Sequence, residues 1–129
     1  CERPAWIRGI DHRIEPHALG ARDLTTSVST AQAAAKAGVA DKAVDLAEIH
    51  APFTHQELIL AQALGLGSDV DINPSGGALC ANPIMAAGLI RMGEAATRIT
   101  AGSHNRAVTH ATSGPALQQN LVAVLEGDS

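Results

Sequence analysis

Residues 70–90 read VDINPSGGALCANPIMAAGLI, and this stretch decides the fold. Val70–Asn73 reads as a short strand, and Pro74-Ser75-Gly76-Gly77 as the turn that ends it. Asn82-Pro83 then predicts a helix start, with Asn82 at the cap and Pro83 at the first helical position. The first two turns of that helix, Ile84 to Ile90, are apolar on every side, so the helix is expected to be buried all round.

Downstream, Arg106–Ala111 and Leu117–Leu125 read as two strands joined by Thr112-Ser113-Gly114-Pro115. Upstream, Ala5–Asp11 reads as a first strand and Glu15 to Arg22 as a Pro- and Gly-punctuated loop. Ser29 to Ala37 is an Ala-rich helix, with Ser29 or Thr30 as cap and Gly38 as its stop. Val44–His50 is a second strand. Thr54 and Glu57 have the spacing of a capping box for a helix that ends at Gly65. The order β-α-β-α-β-α-β-β predicts an α/β domain. Its five-stranded mixed sheet is mostly parallel, with an antiparallel pair at the edge.

A length of 129 residues suits one domain, and 46% hydrophobic against 17% charged residues indicates a globular chain. The apolar residues are nearly all aliphatic: Trp6 and Phe53 are the sole Trp and Phe, and there is no Tyr. Small aliphatic side chains each remove little area from water, at about 25 cal/mol per Å². The chain is therefore expected to gain stability by packing against another domain or copy. A net charge of −4 argues against a nucleic-acid surface. No apolar run approaches the roughly 18 residues of a membrane span. Cys1 and Cys80 have no spacing that suggests a disulfide framework, which points to a reducing, cytoplasmic setting. A start at Cys1, without Met or a signal segment, reads as a piece of a longer polypeptide.

Three motifs in order carry a family resemblance. Glu48-Ile49-His50-Ala51-Pro52-Phe53 resembles the Asn-Glu-Ala-Phe motif of thiolases, or the His-Asp-x-Phe version of the sterol-carrier-protein-type, lipid-transfer group. Asp71-Ile72-Asn73-Pro74-Ser75-Gly76-Gly77 resembles the Asn-x-x-Gly-Gly turn, and Cys80 to Gly88 the continuation of the Gly-His-Pro motif into its helix. The segment from His110 through Gln119 to Leu125 resembles the C-terminal strand pair. On these grounds residues 1–129 are similar to the C-terminal half of a thiolase-superfamily protein. That implies a buried central helix and an N-terminal half of the same protein as partner. It also implies a homo-oligomer when complete, and a CoA thioester as substrate with no other cofactor.

Departures from the pattern sharpen the expectation. Asn82 stands where a thiolase has its activating His, His50 where it has Asn, and Thr112 where it has a second reactive Cys. The exchanged pair resembles ketoacyl synthase III and hydroxymethylglutaryl-CoA synthase. The resemblance then implies an acyltransferase-type enzyme that makes or breaks a C–C bond next to a thioester. In that reading His50 and Asn82 are the oxyanion or activating pair, and Phe53, Cys80, Thr112 and Gly114 lie around the substrate. Two N–H donors converging on one oxygen stabilise the charge that develops there, and His50 is also a candidate base. The nucleophile is expected in the other half, and this chain alone is expected to be inactive. The alternatives are a degenerate lipid or acyl-CoA carrier and a retro-aldol lyase.

Plainer readings stand beside these. Asn82 caps a helix with or without catalysis, Cys80 reads as a small buried residue, and Phe53 as filler of the site's floor. His110 reads as structural or pocket-lining. His50 and His55 lack the further ligands of a zinc site, so no metal is expected.

Overall fold

A computed structural model describes residues 2–128; Cys1, where the chain was read as beginning abruptly, lies outside the described residues. The elements are β1 (Ala5–Ile14), α1 (Val28–Ala37), β2 (Leu46–Ile49), α2 (Thr54–Leu64), β3 (Asp71–Ile72), α3 (Gly77–Cys80), α4 (Ala87–Thr100), β4 (Arg106–Ser113) and β5 (Gln119–Gly127). They form an α/β domain around one five-stranded sheet of order β1-β5-β4-β2-β3. Strand β2 pairs in parallel with β3 and β4, while β4–β5 and β5–β1 are antiparallel. The expected mixed sheet is present, with two antiparallel pairings where one was anticipated, because β1 folds back onto β5.

Strand alternation sends successive side chains to opposite faces, and each face has its own core. Ile49, Val108, Val122 and Val124 meet Ala33, Ala37, Leu60 and Leu64 of α1 and α2. Leu46, Ala107, Ala123 and Leu125 meet Ala95 and Ile99 of α4. The buried apolar side chains are all Ala, Val, Leu or Ile. Small residues permit close layers: a Cβ at Gly9 would overlap the Ala37 carbonyl, so glycine there lets α1 settle onto β1.

Helices α1 and α2 both end on a left-handed glycine, Gly38 (φ 78°) and Gly65 (φ 69°), as their sequences predict. Their starts differ from expectation. The cap position of α1 is Ser27, and Ser29 is already inside the helix. The capping box of α2 does not form: Phe53 occupies the cap position, and the Glu57 carboxylate instead accepts from Asn73 Nδ2 at 2.7 Å. Asn73 also takes the Ile49 N–H on its Oδ1 at 2.8 Å, tying β2 to the turn after β3.

The predicted helix start at Asn82-Pro83 is also displaced. Residues 83–86 form a turn closed by the Ala86 N–H on the Pro83 carbonyl, and α4 begins at Ala87. Asn82 is thus not a helix cap. Helix α4 sends Ala87, Arg91, Ala95 and Ile99 into the sheet. Ile84 and Met85 in the preceding turn and Leu89 on the helix are 75%, 97% and 76% exposed. The burial expected on every side is therefore met on one side only among the described residues.

Candidate functional site

In an open α/β sheet, strand ends that converge with loops on one side make a natural ligand crevice. Here the C-terminal ends of the parallel strands β2 and β4 open into a cavity of about 860 Å³. One wall is apolar, built from Ile7, Ile10, Ile84, Met85, Leu89 and Met92. The other end is polar, with His50, Asn82, Gln56, His110 and Thr112.

His50 follows directly on β2 and is 5% exposed. Its Nε2 lies 2.9 Å from Asn82 Oδ1, and the Thr112 backbone N–H donates to its Nδ1 at 3.4 Å. A backbone N–H can only donate, so Nδ1 carries the lone pair and Nε2 the proton. His50 therefore presents a donor toward Asn82, and the Asn82 carbonyl accepts it. Among the described residues no protein group accepts from the side-chain N–H groups of Asn82. The two residues expected to act together are in contact, although at rest His50 donates to Asn82 rather than both donating to a common oxygen.

The other candidates fall unevenly. Phe53 lines the cavity but is 60% exposed, so it stands at the mouth and does not fill the floor. Thr112 lines the cavity with its hydroxyl committed to the Gln119 carbonyl at 3.0 Å. Gly114 lines it with φ 74°, and a Cβ there would meet Gln118 Oε1 at 2.5 Å, which explains a glycine at that position. Cys80 is exposed and lies outside the cavity lining. The expected burial of Cys80 is overturned: it ends α3 and is exposed.

Beneath the pair lies a buried ionic network that residue spacing did not reveal. Glu48, fully buried in β2, accepts from Arg91 Nη1 of α4 at 2.9 Å and from Ser75 Oγ and N–H at 2.7 and 3.1 Å. Arg91 Nη1 also donates to Ser75 Oγ at 2.7 Å. Strand β2, the Ser75 turn and α4 thus share one charged knot. The available signal was a charge inside each of two apolar runs, LAEIH and GLIRMG.

His110 lies in β4, 1% exposed, with Nε2 2.9 Å from Asn120 Oδ1. Burial lowers its pKa to about 4; the Asn120 hydrogen bond partly opposes that, and the nearby His50 adds to it. It is neutral at physiological pH. Among the described residues no group of three or more His, Cys, Asp or Glu is placed to hold a metal ion. Nor is any helix long and apolar enough to cross a membrane.

No protein-family model and no curated protein sequence matches the chain. Solved structures do. Human mitochondrial 3-ketoacyl-CoA thiolase superimposes with a TM-score of 0.72 at 21% identity, over 96% of this chain and 30% of that one. The same enzyme in complex with CoA gives 0.73 at 21% identity, over 97% and 31%. The chain therefore has a thiolase-type fold, and it spans less than a third of the length of those thiolases.

Proposed function

We propose that this chain is the C-terminal half of a thiolase-like, acyltransferase-type enzyme that makes or breaks a C–C bond beside a CoA thioester. The observation that carries the proposal is the His50–Asn82 contact, 2.9 Å at the polar end of a largely apolar cavity, in a thiolase-type fold. An acyl chain suits the apolar wall. A thioester oxygen at the polar end would take the His50 Nε2–H from Asn82 and receive an Asn82 N–H beside it. Buried donors aimed at developing charge are each worth about 10²–10³ in rate. With Nε2 protonated, His50 serves as a donor first and as a base only after passing that proton on. CoA is bound by one of the thiolases of this fold, which supports the same substrate class here.

The nucleophile belongs to the complementary half, for which the open side of α4 and the exposed Ile7 and Ile10 of β1 supply an apolar seat. Full-length protein incubated with acetyl-CoA and longer acyl-CoAs should show a covalent acyl adduct by mass spectrometry. No adduct across a broad panel would exclude the condensing reading. The chain expressed alone should self-associate through the same face; a monomer of 13.2 kDa by light scattering would count against the half-enzyme proposal.

A carrier that binds acyl-CoA without turning it over is the second reading. It is favoured by Thr112, whose hydroxyl stands where thiolases resembling this chain have a thiol and is already bonded to Gln119. Tight acyl-CoA binding with neither adduct nor turnover would select it.

A further inference from the structure

An open sheet has two edges, each a row of backbone groups able to pair with a further strand. Here the edges differ. Strand β3 offers only Asp71 and Ile72, and its shortness blunts it. Strand β1 is 10 residues long, and among the described residues β5 is its sole sheet neighbour. Its register slips once, between Ile7 and Gly9, so a bulge interrupts the edge near Arg8. From Gly9 to Ile14 the pairing is regular, and that segment has neither proline nor lysine to protect it.

One hydrogen bond orients this segment. The Glu15 N–H donates to the Gln118 carbonyl at 2.8 Å, one step beyond the Ile14–Gln119 pair. Backbone direction alternates along an antiparallel strand. Arg13 and Asp11 therefore also turn their N–H and C=O toward β5, while Ile10, His12 and Ile14 turn theirs outward. Side chains alternate as well. Asp11 and Arg13 stand beside Val122 and Asn120 on one face, and Ile10 and Ile14 beside Ala123 and Gln119 on the other. Ile10 and Ile14 are both exposed.

We infer that the β1 edge pairs with the same edge of a second copy of this chain, antiparallel, with His12 on the twofold axis. In this register the outward backbone groups of Ile10, His12 and Ile14 meet their counterparts. Ile10 lies opposite Ile14 and Asp11 opposite Arg13, each twice, because a twofold contact repeats every pair. Opposite charges and apolar residues facing each other across strands are the favourable combinations. Moving the axis one residue either way sets Asp11 against Asp11 or Arg13 against Arg13. An axis between residues would match side chains from opposite faces of the sheet. Self-complementary charge thus selects one register and one partner. Within a protomer Arg13 Nε and Asp11 Oδ2 already lie 2.6 Å apart, so the two groups need only exchange partners. The contact uses the sheet's edge and is compatible with a complementary half seated on the α4 face.

Sedimentation of the full-length protein over a concentration series tests this. The wild type should self-associate. Asp11→Arg and Arg13→Asp should each raise the dissociation constant of one association step at least about tenfold, because two attractive pairs become two repulsive ones. Combining both exchanges should return it to within about threefold of wild type. Mild oxidation reads the register separately. His12→Cys should give a disulfide-linked dimer above the wild-type background, since residues on the axis face themselves at about 5.5 Å between Cα atoms. Trp6→Cys, outside the paired segment, should stay at background. A monomeric wild type overturns the inference, as do single exchanges without effect or a double exchange that fails to restore association. Equal cross-linking of the two cysteine variants overturns it as well.

Discussion

His50 and Asn82, 32 positions apart in sequence, are joined by a 2.9 Å hydrogen bond in which the histidine Nε2–H donates and the asparagine oxygen accepts. On the proposed reading Asn82 has two roles, positioning His50 through its oxygen and donating through its amide N–H. Two substitutions separate these roles. Asn82→Asp keeps an acceptor for His50 and removes the N–H donor; Asn82→Ala removes both. If donation matters, both variants of the full-length protein should lose about 10²–10³ in acyl-CoA turnover. Turnover of Asn82→Asp within a fewfold of wild type would reduce Asn82 to a support for the histidine.

Glu48 and Arg91 make the second test. Removing one partner of a buried, hydrogen-bonded ion pair strands the other, at a cost of about 3–5 kcal/mol. Glu48→Gln and Arg91→Leu should each lower the unfolding free energy from denaturant titration by that order, and the double change to Leu at both positions should recover much of it. Ser75 loses its carboxylate partner in Glu48→Gln and its guanidinium partner in Arg91→Leu. Equal, additive losses in the double variant would mean that the two residues are not coupled.

Gly88 sits where α4 crosses β4, and a Cβ added to it would lie 2.6 Å from the Cβ of Ala111. Overpacking at such a contact costs about 1–3 kcal/mol, more than alanine's helix preference of about 1 kcal/mol returns. Gly88→Ala should therefore destabilise the fold, and Ala111→Gly added to it should restore stability. Thermal denaturation of the two variants checks this; a stabilised Gly88→Ala would show that the helix has room to move.

Much of the architecture is legible in the chain because its signals are local. Gly38 and Gly65 end their helices where expected, and β4 and β5 overlap the runs Arg106–Ala111 and Leu117–Leu125 read as strands. The misread positions are those where a distant group outcompetes a local one. Glu57 leaves its own helix start for Asn73, and Asn82 gives its oxygen to His50, so neither caps a helix. At the site, the resemblance supplied His50 and Asn82 as neighbours, and the structure brings them together. Gln56 carries no motif and was not singled out. His110 reads from sequence only as structural or pocket-lining, since its bond to Asn120 ten residues on is a cross-strand contact that no motif marks.

The burial of His110 also predicts a pH response. Its folded pKa of about 4 lies below the ordinary 6.5, so the unfolded chain binds more protons between those values. Stability from this residue is complete above pH 6.5, falls as the pH drops through the interval, and reaches its floor below about 4. At about 1.4 kcal/mol per tenfold change in proton affinity, the loss is on the order of 3 kcal/mol. Urea unfolding between pH 4 and 7 should show the decline, and His110→Asn should flatten it. A parallel decline in the variant would assign it to other groups.

The pairing of β1 with β5 has a consequence for how the chain is made. Within this segment strand β1 is synthesised long before β5, yet among the described residues β5 is its strand neighbour. Ile7, Ile10 and Ile14 must therefore wait, unpaired, until β5 has been synthesised. Closing so long a loop is slow, and an unpaired apolar strand is prone to association in the interval. Translation speed and chaperone capture, rather than final stability, will then govern how much of this protein reaches the folded state.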